Sequence, residues 1–145
     1  MKNNYLHPSE EAGKQFYLRQ HKGPVVMLNL LRFREIADYS ETPELAPSNP
    51  ISGKAAYKLY MKHTVPFLEK SRGEVLFSGS AGSFLIGPLE ESWDSVLVVR
   101  HQSAEVFLAF ARDEGYLKGM GHRRAALADS RLLPMSEGDM FTPPP

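Results

Sequence analysis

The fold of this chain is decided by the stretch Val25-Val-Met-Leu-Asn-Leu-Leu-Arg-Phe33, which is apolar at both alternating positions except at Asn29 and Arg32. A strand of this composition is covered on both of its faces. A second run of the same kind, Val96-Leu-Val-Val99, lies inside the strand predicted over Trp93–His101. Two such strands predict a sheet that is buried on both sides.

The elements around these two strands follow the order β-α-β-β-α-β. The predicted helices cover residues 53–72 (with a kink at Pro66), 103–113 and 114–128, and the predicted strands cover residues 25–33, 74–86, 93–101 and 129–134. This is the order of the ferredoxin-like unit, an α+β fold in which an antiparallel four-stranded sheet carries both helices on one face. The helices leave the other face open, so we expect a second copy of the chain to cover it, giving a homodimeric α+β barrel.

A length of 145 residues predicts a single domain. We divide it into an N-terminal helical extension over residues 1–23, a ferredoxin-like core over 24–135 and an extended Pro-rich tail over 136–145. The extra N-terminal helix begins after Ser9, a good capping residue. Residues 35–51 contain three prolines and are predicted to form a long loop.

Composition excludes several classes of function. Seventeen Lys and Arg balance seventeen Asp and Glu, which argues against nucleic acid as a partner. The chain has no cysteine, so disulfides and thiolate chemistry are excluded, and a reducing cytoplasm is the expected location. It has no apolar run of membrane-spanning length and no signal peptide, so no membrane partner is expected. The sequence also lacks HExxH, GxGxxG, P-loop and GxSxG motifs, so we expect no metal, no nucleotide cofactor and no serine nucleophile.

Several short segments together carry a family resemblance. They are Trp93-Asp-Ser-Val-Leu-Val-Val99, Ser103-Ala-Glu-Val-Phe107, Glu114-Gly-Tyr116, Arg123-Arg-Ala-Ala126 and Asp129-Ser130. This pattern, over roughly residues 24 to 135, resembles the family called domain of unknown function 1330, of the dimeric α+β barrel superfamily. The resemblance implies the fold and the dimer. It implies little about activity, because that superfamily includes cofactor-free monooxygenases, lactone isomerases, haem enzymes and proteins without known catalysis.

Arg123 is the most informative single candidate for a site. On a helix it falls on the stripe of Tyr116, Met120 and Leu127, the side that should face the sheet. An arginine that enters a core needs a carboxylate, carbonyl oxygens or an anionic ligand. Three interpretations stay open: Arg123 binds an anionic ligand, it forms a structural ion pair with Asp94 or Glu74, or only its aliphatic stem is buried while its charged head reaches water.

His63 and Asn29 are the polar candidates. His63 could act as a general base on a small acidic substrate, since its ordinary pKa lies near neutrality, or it could be a hydrogen-bonded structural histidine. Asn29 could hold a carbonyl or enolate oxygen, or make a polar contact to a strand end or a partner subunit. His101 is expected at a solvated or rim position.

The aromatic candidates for substrate binding are Tyr57, Tyr60, Trp93 and Tyr116, each of which could equally be a core residue. Two functions are compatible with all these residues. The first is binding, with or without cofactor-free monooxygenase- or isomerase-like chemistry, of a small organic acid or carbonyl compound in a pocket between helices and sheet. The alternative is a non-catalytic dimeric interaction module that engages a partner through its surface or tail.

Overall fold

The computed structural model describes residues 4–138 and residue 141 of the chain. The regular elements are, in order, α1 Glu10–Leu18, β1 Val25–Phe33, a 3₁₀ turn Pro43–Leu45, α2 Gly53–Lys70, β2 Glu74–Ser80, β3 Ser95–His101, α3 Ala104–Arg112, α4 Glu114–Leu117, α5 Met120–Ala126 and β4 Leu127–Ser136. Serine side chains cap three of the helices, as Ser9, Ser52 and Ser103 accept backbone N–H groups of α1, α2 and α3.

The four strands form one antiparallel sheet in the order β2-β3-β1-β4. The prediction of a ferredoxin-like α+β fold is therefore confirmed. The apolar strand β1 lies in the interior of the sheet, where it pairs with β3 on one side and β4 on the other. Its register places Asn29 opposite both Leu97 and Leu132.

The helices cover one face of the sheet, and the main core lies between the helices and that face. This cluster of buried residues comprises Leu31, Ala56, Tyr57, Tyr60, Tyr116, Ala126 and Leu127. A second buried cluster brings Leu68 of α2 against Leu97 and Val99 of β3. Because side chains alternate along a strand, the even-numbered residues of β1 point to the opposite face.

We call this opposite side of the sheet the open face. Its centre is apolar and only half-buried, with Leu28 and Leu30 from β1 and Val96 and Val98 from β3. Phe77 of β2 and Leu133 of β4 flank the centre and are exposed. The sequence prediction of strands apolar on both faces is thus correct, and within the described chain one of those faces has no helix over it.

The predicted continuation of the second strand through Phe84–Ile86 is wrong. Strand β2 ends at Ser80. Beyond it, Ala81 N–H donates to Asp94 O, Trp93 N–H donates to Gly82 O, and Ser83 forms an isolated bridge to Ser92. The segment between those two serines, which we call the arm (residues 83–92), therefore lacks a partner strand. It projects Leu85 and Ile86, whose side chains are 100% and 91% exposed.

Other boundaries also differ from the predictions. Helix α2 runs unbroken through Pro66. The predicted helix over 114–128 is two short helices, and β4 begins at Leu127 and extends to Ser136. The long loop of residues 35–51 is ordered against α5, since Asp38 N–H donates to Ala125 O at 2.9 Å. Of the predicted extended tail over 136–145, residues 139, 140 and 142–145 lie outside the described residues.

Candidate functional site

A groove of about 250 Å³ lies between α2 and the sheet. Its apolar walls come from β1, α2 and β3, and include the side chains of Leu31, Phe33, Met61 and Leu97. Its polar lining comprises Lys54, Tyr57 and Lys58 of α2, Ser78 of β2 and Ser95 of β3. An apolar hollow with a few convergent polar groups is the usual form of a small-molecule site.

Two exposed lysines give the groove its charge. Lys54 and Lys58 are four residues apart on α2, so they project from the same side of the helix. The helix starts at this point because Ser52 caps it, its Oγ accepting Ala55 N–H at 3.0 Å. Between the lysines, Tyr57 is buried and its ring lies 5.6 Å from that of Phe33. The groove therefore combines a cationic rim with an aromatic and aliphatic interior.

A cluster of three tyrosines lies beside the groove. The hydroxyls of Tyr60 and Tyr116 are hydrogen-bonded at 2.6 Å, and the Tyr57 and Tyr60 rings lie 5.2 Å apart. Burial raises the pKa of Tyr57 and of Tyr116 above that of a free phenol, although the charge of Arg123 opposes this increase. All three phenols are buried groups of the core, and of the three only Tyr57 lines the groove.

Arg123 is half-buried, and its partners are uncharged oxygens. Its Nη1 donates to Leu6 O at 2.7 Å and its Nη2 donates to the Ser130 hydroxyl at 3.4 Å. The expected ion pair with Asp94 or Glu74 is not formed. Asp94 accepts Phe33 N–H instead, and Glu74 pairs with Arg100. Of the acceptors considered from sequence, carbonyl oxygen is the one that Arg123 uses.

His63 and Asn29 both hydrogen-bond main-chain carbonyls. His63 Nε2 lies 2.8 Å from Gly115 O, and because a carbonyl only accepts, this nitrogen carries the proton. The Asn29 amide donates to Leu97 O on the adjacent strand at 3.1 Å. Neither side chain lines the groove. Each therefore ties elements together, His63 joining α2 to α4 and Asn29 joining β1 to β3.

Trp93 lies apart from the tyrosines. The guanidinium groups of Arg32 and Arg131 both lie over its ring, at 4.8 and 4.9 Å from the ring centre, and Nε1–H donates to Glu91 at 3.0 Å. Arg32 alternates with Leu31 and Phe33, so this group lies on the open face. The structure thus separates the predicted binding residues, and of the predicted set Tyr57 alone lines the groove.

Two solved structures show which family this chain belongs to. A crystal structure of the methylated RPA0582 protein is 31% identical in sequence, with a TM-score of 0.84, and the match covers 97% of this chain and all of that one. A second crystal structure, of RPA0582 as a protein of unknown function from Rhodopseudomonas palustris, is 32% identical over the same shares, with a TM-score of 0.81. This chain belongs to the RPA0582 family.

Other comparisons add less about this RPA0582 relative. A dimeric protein of unknown function with a ferredoxin-like fold from Bacteroides fragilis is 10% identical, with a TM-score of 0.48, over 80% of this chain and 98% of that one. No protein-family model matches the chain, and no curated protein does. The resemblance to domain of unknown function 1330 therefore stays a prediction.

Sequence reasoning missed two features of this RPA0582-family chain. The first is the lysine pair of the groove, whose signal was present as Lys54 and Lys58 at helical spacing around Tyr57. The second is the segment before α1, where Tyr5 and Leu6 contact β4 and α5. No local pattern marks this second contact, because its partners lie more than one hundred residues away in the chain.

Among residues 4–138 and 141, no group of three or more His, Cys, Asp or Glu side chains could hold a metal ion. In the same part of this RPA0582-family chain, every helix is too short or too polar to cross a bilayer.

Proposed function

We propose that this protein binds a small organic acid in the groove between α2 and the sheet. The observation that carries this proposal is the pairing of an apolar, partly aromatic hollow with Lys54 and Lys58 at its rim. A carboxylate placed at the rim gains charge-assisted hydrogen bonds, while an aryl or short alkyl group is removed from water inside. The hydroxyls of Ser78 and Ser95 offer further hydrogen bonds to an oxygen of the ligand.

The proposal is one of binding and includes no chemical step. Catalysis by proton transfer needs a base within hydrogen-bond reach of the substrate. His63, the candidate base, donates its Nε2 proton to Gly115 O and is absent from the groove lining. Tyr57 does line the groove, but burial raises its pKa and favours the neutral phenol. Tyr57 is therefore assigned to binding, as a hydrogen-bonding and aromatic wall.

The ligand-binding unit is proposed to be a homodimer formed through the open face. Phe77 and Leu133 are exposed there beside the half-buried Leu28, Leu30, Val96 and Val98. The charged groups lie toward the two ends of this apolar centre, with Arg100 between Glu74 and Glu137 at one end and Asp129 between Arg32 and Arg131 at the other. A face that is apolar in the middle and carries both charge signs at its ends can be complementary to itself, as a two-fold interface requires.

The arm supports a second copy as the occupant of the open face. Leu85, Ile86 and Leu89 are almost fully exposed, and contiguous exposed aliphatic groups mark an interaction surface. The arm leaves the sheet next to Trp93, whose N–H donates to Gly82 O at 3.0 Å. In the proposed dimer, the arm of each copy covers apolar surface of the other.

A thermal-shift experiment with full-length protein tests the binding proposal. Benzoate or hexanoate at one hundred times its dissociation constant adds about 2.7 kcal/mol, which for this chain length raises the Tm by roughly 5–11 °C. We expect Lys58→Gln and Lys54→Gln each to weaken the shift. Lys62→Gln, one turn further along α2 and outside the groove, is the matched control and should retain it. No shift with any acid, or equal shifts in Lys58→Gln and wild type, would refute the proposal.

A further inference from the structure

The segment before α1 lies across β4 as a strap, which we define as residues 5–9. Tyr5 N–H donates to Asp129 Oδ1 at 2.8 Å, and the Ser130 hydroxyl donates to Tyr5 O at 2.5 Å. The Arg131 guanidinium lies 4.7 Å from the centre of the Tyr5 ring. Main-chain groups of the strap are thus bound by side chains of β4, in the way that a protein binds an extended peptide ligand.

Leu6, the next residue of the strap, contacts Arg123. Leu6 O accepts Arg123 Nη1 at 2.7 Å, and the Leu6 side chain packs against the main core cluster, which contains Tyr57. The Ser130 hydroxyl, which holds Tyr5 O, also accepts from Arg123 Nη2 at 3.4 Å. Two successive carbonyl oxygens and one leucine side chain therefore fill a site that has a guanidinium, a hydroxyl and an apolar wall.

The charge of this site is not matched by its occupant. Within residues 4–138 and 141, Arg123 forms no ion pair, and its acceptors, which include the Tyr57 hydroxyl, are all uncharged. The carboxylate beside Ser130, that of Asp129, is already shared between Arg131 at 2.8 Å and Arg32 at 3.6 Å. A carboxylate adds the attraction of its own negative charge, and the geometry for two parallel N–H···O bonds, to the hydrogen bond that a carbonyl oxygen already gives a guanidinium. A carboxylate would therefore interact with Arg123 more strongly than the strap carbonyl does.

The helix that follows the strap is held to the rest of the molecule by little buried surface. None of the residues of α1 is buried. Phe16 of that helix contacts Phe107 of α3, with ring centroids 5.7 Å apart. Segments with little buried apolar surface open at low free-energy cost compared with global unfolding. The contacts of Tyr5 and Leu6 are therefore the ones that must break for the strap to open while the sheet stays folded.

We propose that the strap is an internal occupant of a carboxylate site, and that its release exposes Arg123 and Ser130 to a carboxylic acid with a short branched apolar chain. The acid replaces the Leu6 carbonyl on the guanidinium and the Leu6 side chain against the core. This site is distinct from the groove, and the proposal does not rest on the function proposed above. Its structural mimic of Leu6 is 4-methylpentanoate, which has the leucine side chain and a carboxylate in place of the peptide carbonyl.

Calorimetric titration of the full-length protein with 4-methylpentanoate tests the proposal, with neutral 4-methylpentanamide as the control ligand. Leu6→Ala should strengthen binding of the acid by at least about tenfold, because apparent affinity scales with the fraction of open site. The affinity for the neutral amide should rise by a smaller factor in the same variant. Adding Arg123→Met to Leu6→Ala should abolish the gain, whereas adding Lys62→Gln, on α2 outside the groove, should leave it. Leu18→Ala removes an exposed leucine of α1 and should change nothing.

Hydrogen exchange at the amides of Tyr5 and Leu6 reports strap opening independently of the ligand. Faster exchange in Leu6→Ala together with the gain in affinity supports the proposal. Faster exchange without any gain, a gain that survives Arg123→Met, or unchanged exchange overturns it. If Leu6→Ala fails to fold, the milder Leu6→Val should give a smaller gain in the same direction, and a folded Leu6→Val with faster exchange and no gain overturns the proposal as well.

Discussion

At the scale of single residues, polar side chains that interrupt the apolar pattern are satisfied by the protein's own main chain. Asn29 binds a strand carbonyl, His63 binds a helix carbonyl and Arg123 binds the strap. Sequence reasoning identified these positions because a buried polar group must have a partner. It could not identify the partners, because each lies more than fifty residues away along the chain.

His101 departs from this rule. Expected at a solvated rim, it is only 3% exposed, and its Nδ1 has no hydrogen-bond partner in the part of the chain that the structure describes. The rings of Phe107 and Phe110 enclose it, with centroids at 4.9 and 5.5 Å. Burial lowers the pKa of His101 from 6.5 to about 4, because the charged imidazolium is poorly solvated there.

The low pKa of His101 predicts a loss of stability in acid. Between pH 6.5 and about 4 the unfolded chain holds a proton on this residue and the folded chain does not, so stability falls as the pH falls through this window. The loss through His101 is up to about 3 kcal/mol. Urea unfolding at a series of pH values should show this slope in wild type and a reduced slope in His101→Gln. Identical slopes would contradict the assignment.

At the scale of elements, α2 carries two of the three core tyrosines, Tyr57 and Tyr60, together with the groove lysines. Its start is fixed by Ser52 as a cap and by Gly53, which is packed against main-chain atoms of two other segments. A Cβ at Gly53 would lie 2.3 Å from Arg34 O and 2.5 Å from Ala126 O. The close approach places α2 against the end of β1 and the end of α5, and so positions Lys54 over the sheet.

Two glycine substitutions are expected to have opposite effects. Gly53→Ala should lower the free energy of unfolding by about 1–3 kcal/mol, because its Cβ would collide with backbone that must then move. Gly13→Ala, inside α1 with open space around it, should raise the stability of that helix by about 0.5–1 kcal/mol. Denaturant unfolding measures the first, and circular dichroism with hydrogen exchange of α1 measures the second. A neutral Gly53→Ala would show that the contact of α2 with Arg34 and Ala126 is looser than described.

At the scale of the whole molecule, the sheet has one face under helices and one apolar face without them. Burying the second face in a dimer would remove Phe77, Leu133 and the arm from water. The group of Arg32, Trp93 and Arg131 at one end of that face would then lie at the rim of the interface, where paired charges contribute more to register than to affinity.

Light scattering at micromolar concentration checks the dimer. Wild type should run as a dimer, while Phe77→Glu and Leu133→Glu, which place a charge on the open face, should shift it toward monomer. Leu18→Glu, at an exposed leucine of α1 outside that face, should remain dimeric. A monomeric wild type, or a Phe77→Glu protein that stays dimeric, would exclude the open face as the interface.

The sequence by itself determined the ferredoxin-like order of elements and the two apolar faces of β1, because hydrophobic periodicity is a local property of the chain. It also identified the buried tyrosines and Arg123 as positions where polar groups meet a core. The tertiary structure alone decided that Tyr57 shares a groove with Lys54 and Lys58, and that Trp93 lies on the other side of the sheet. It also decided that the Leu6 carbonyl accepts a hydrogen bond from Arg123. These are contacts between segments distant in sequence, and their geometry depends on how helices and strands pack rather than on any local pattern.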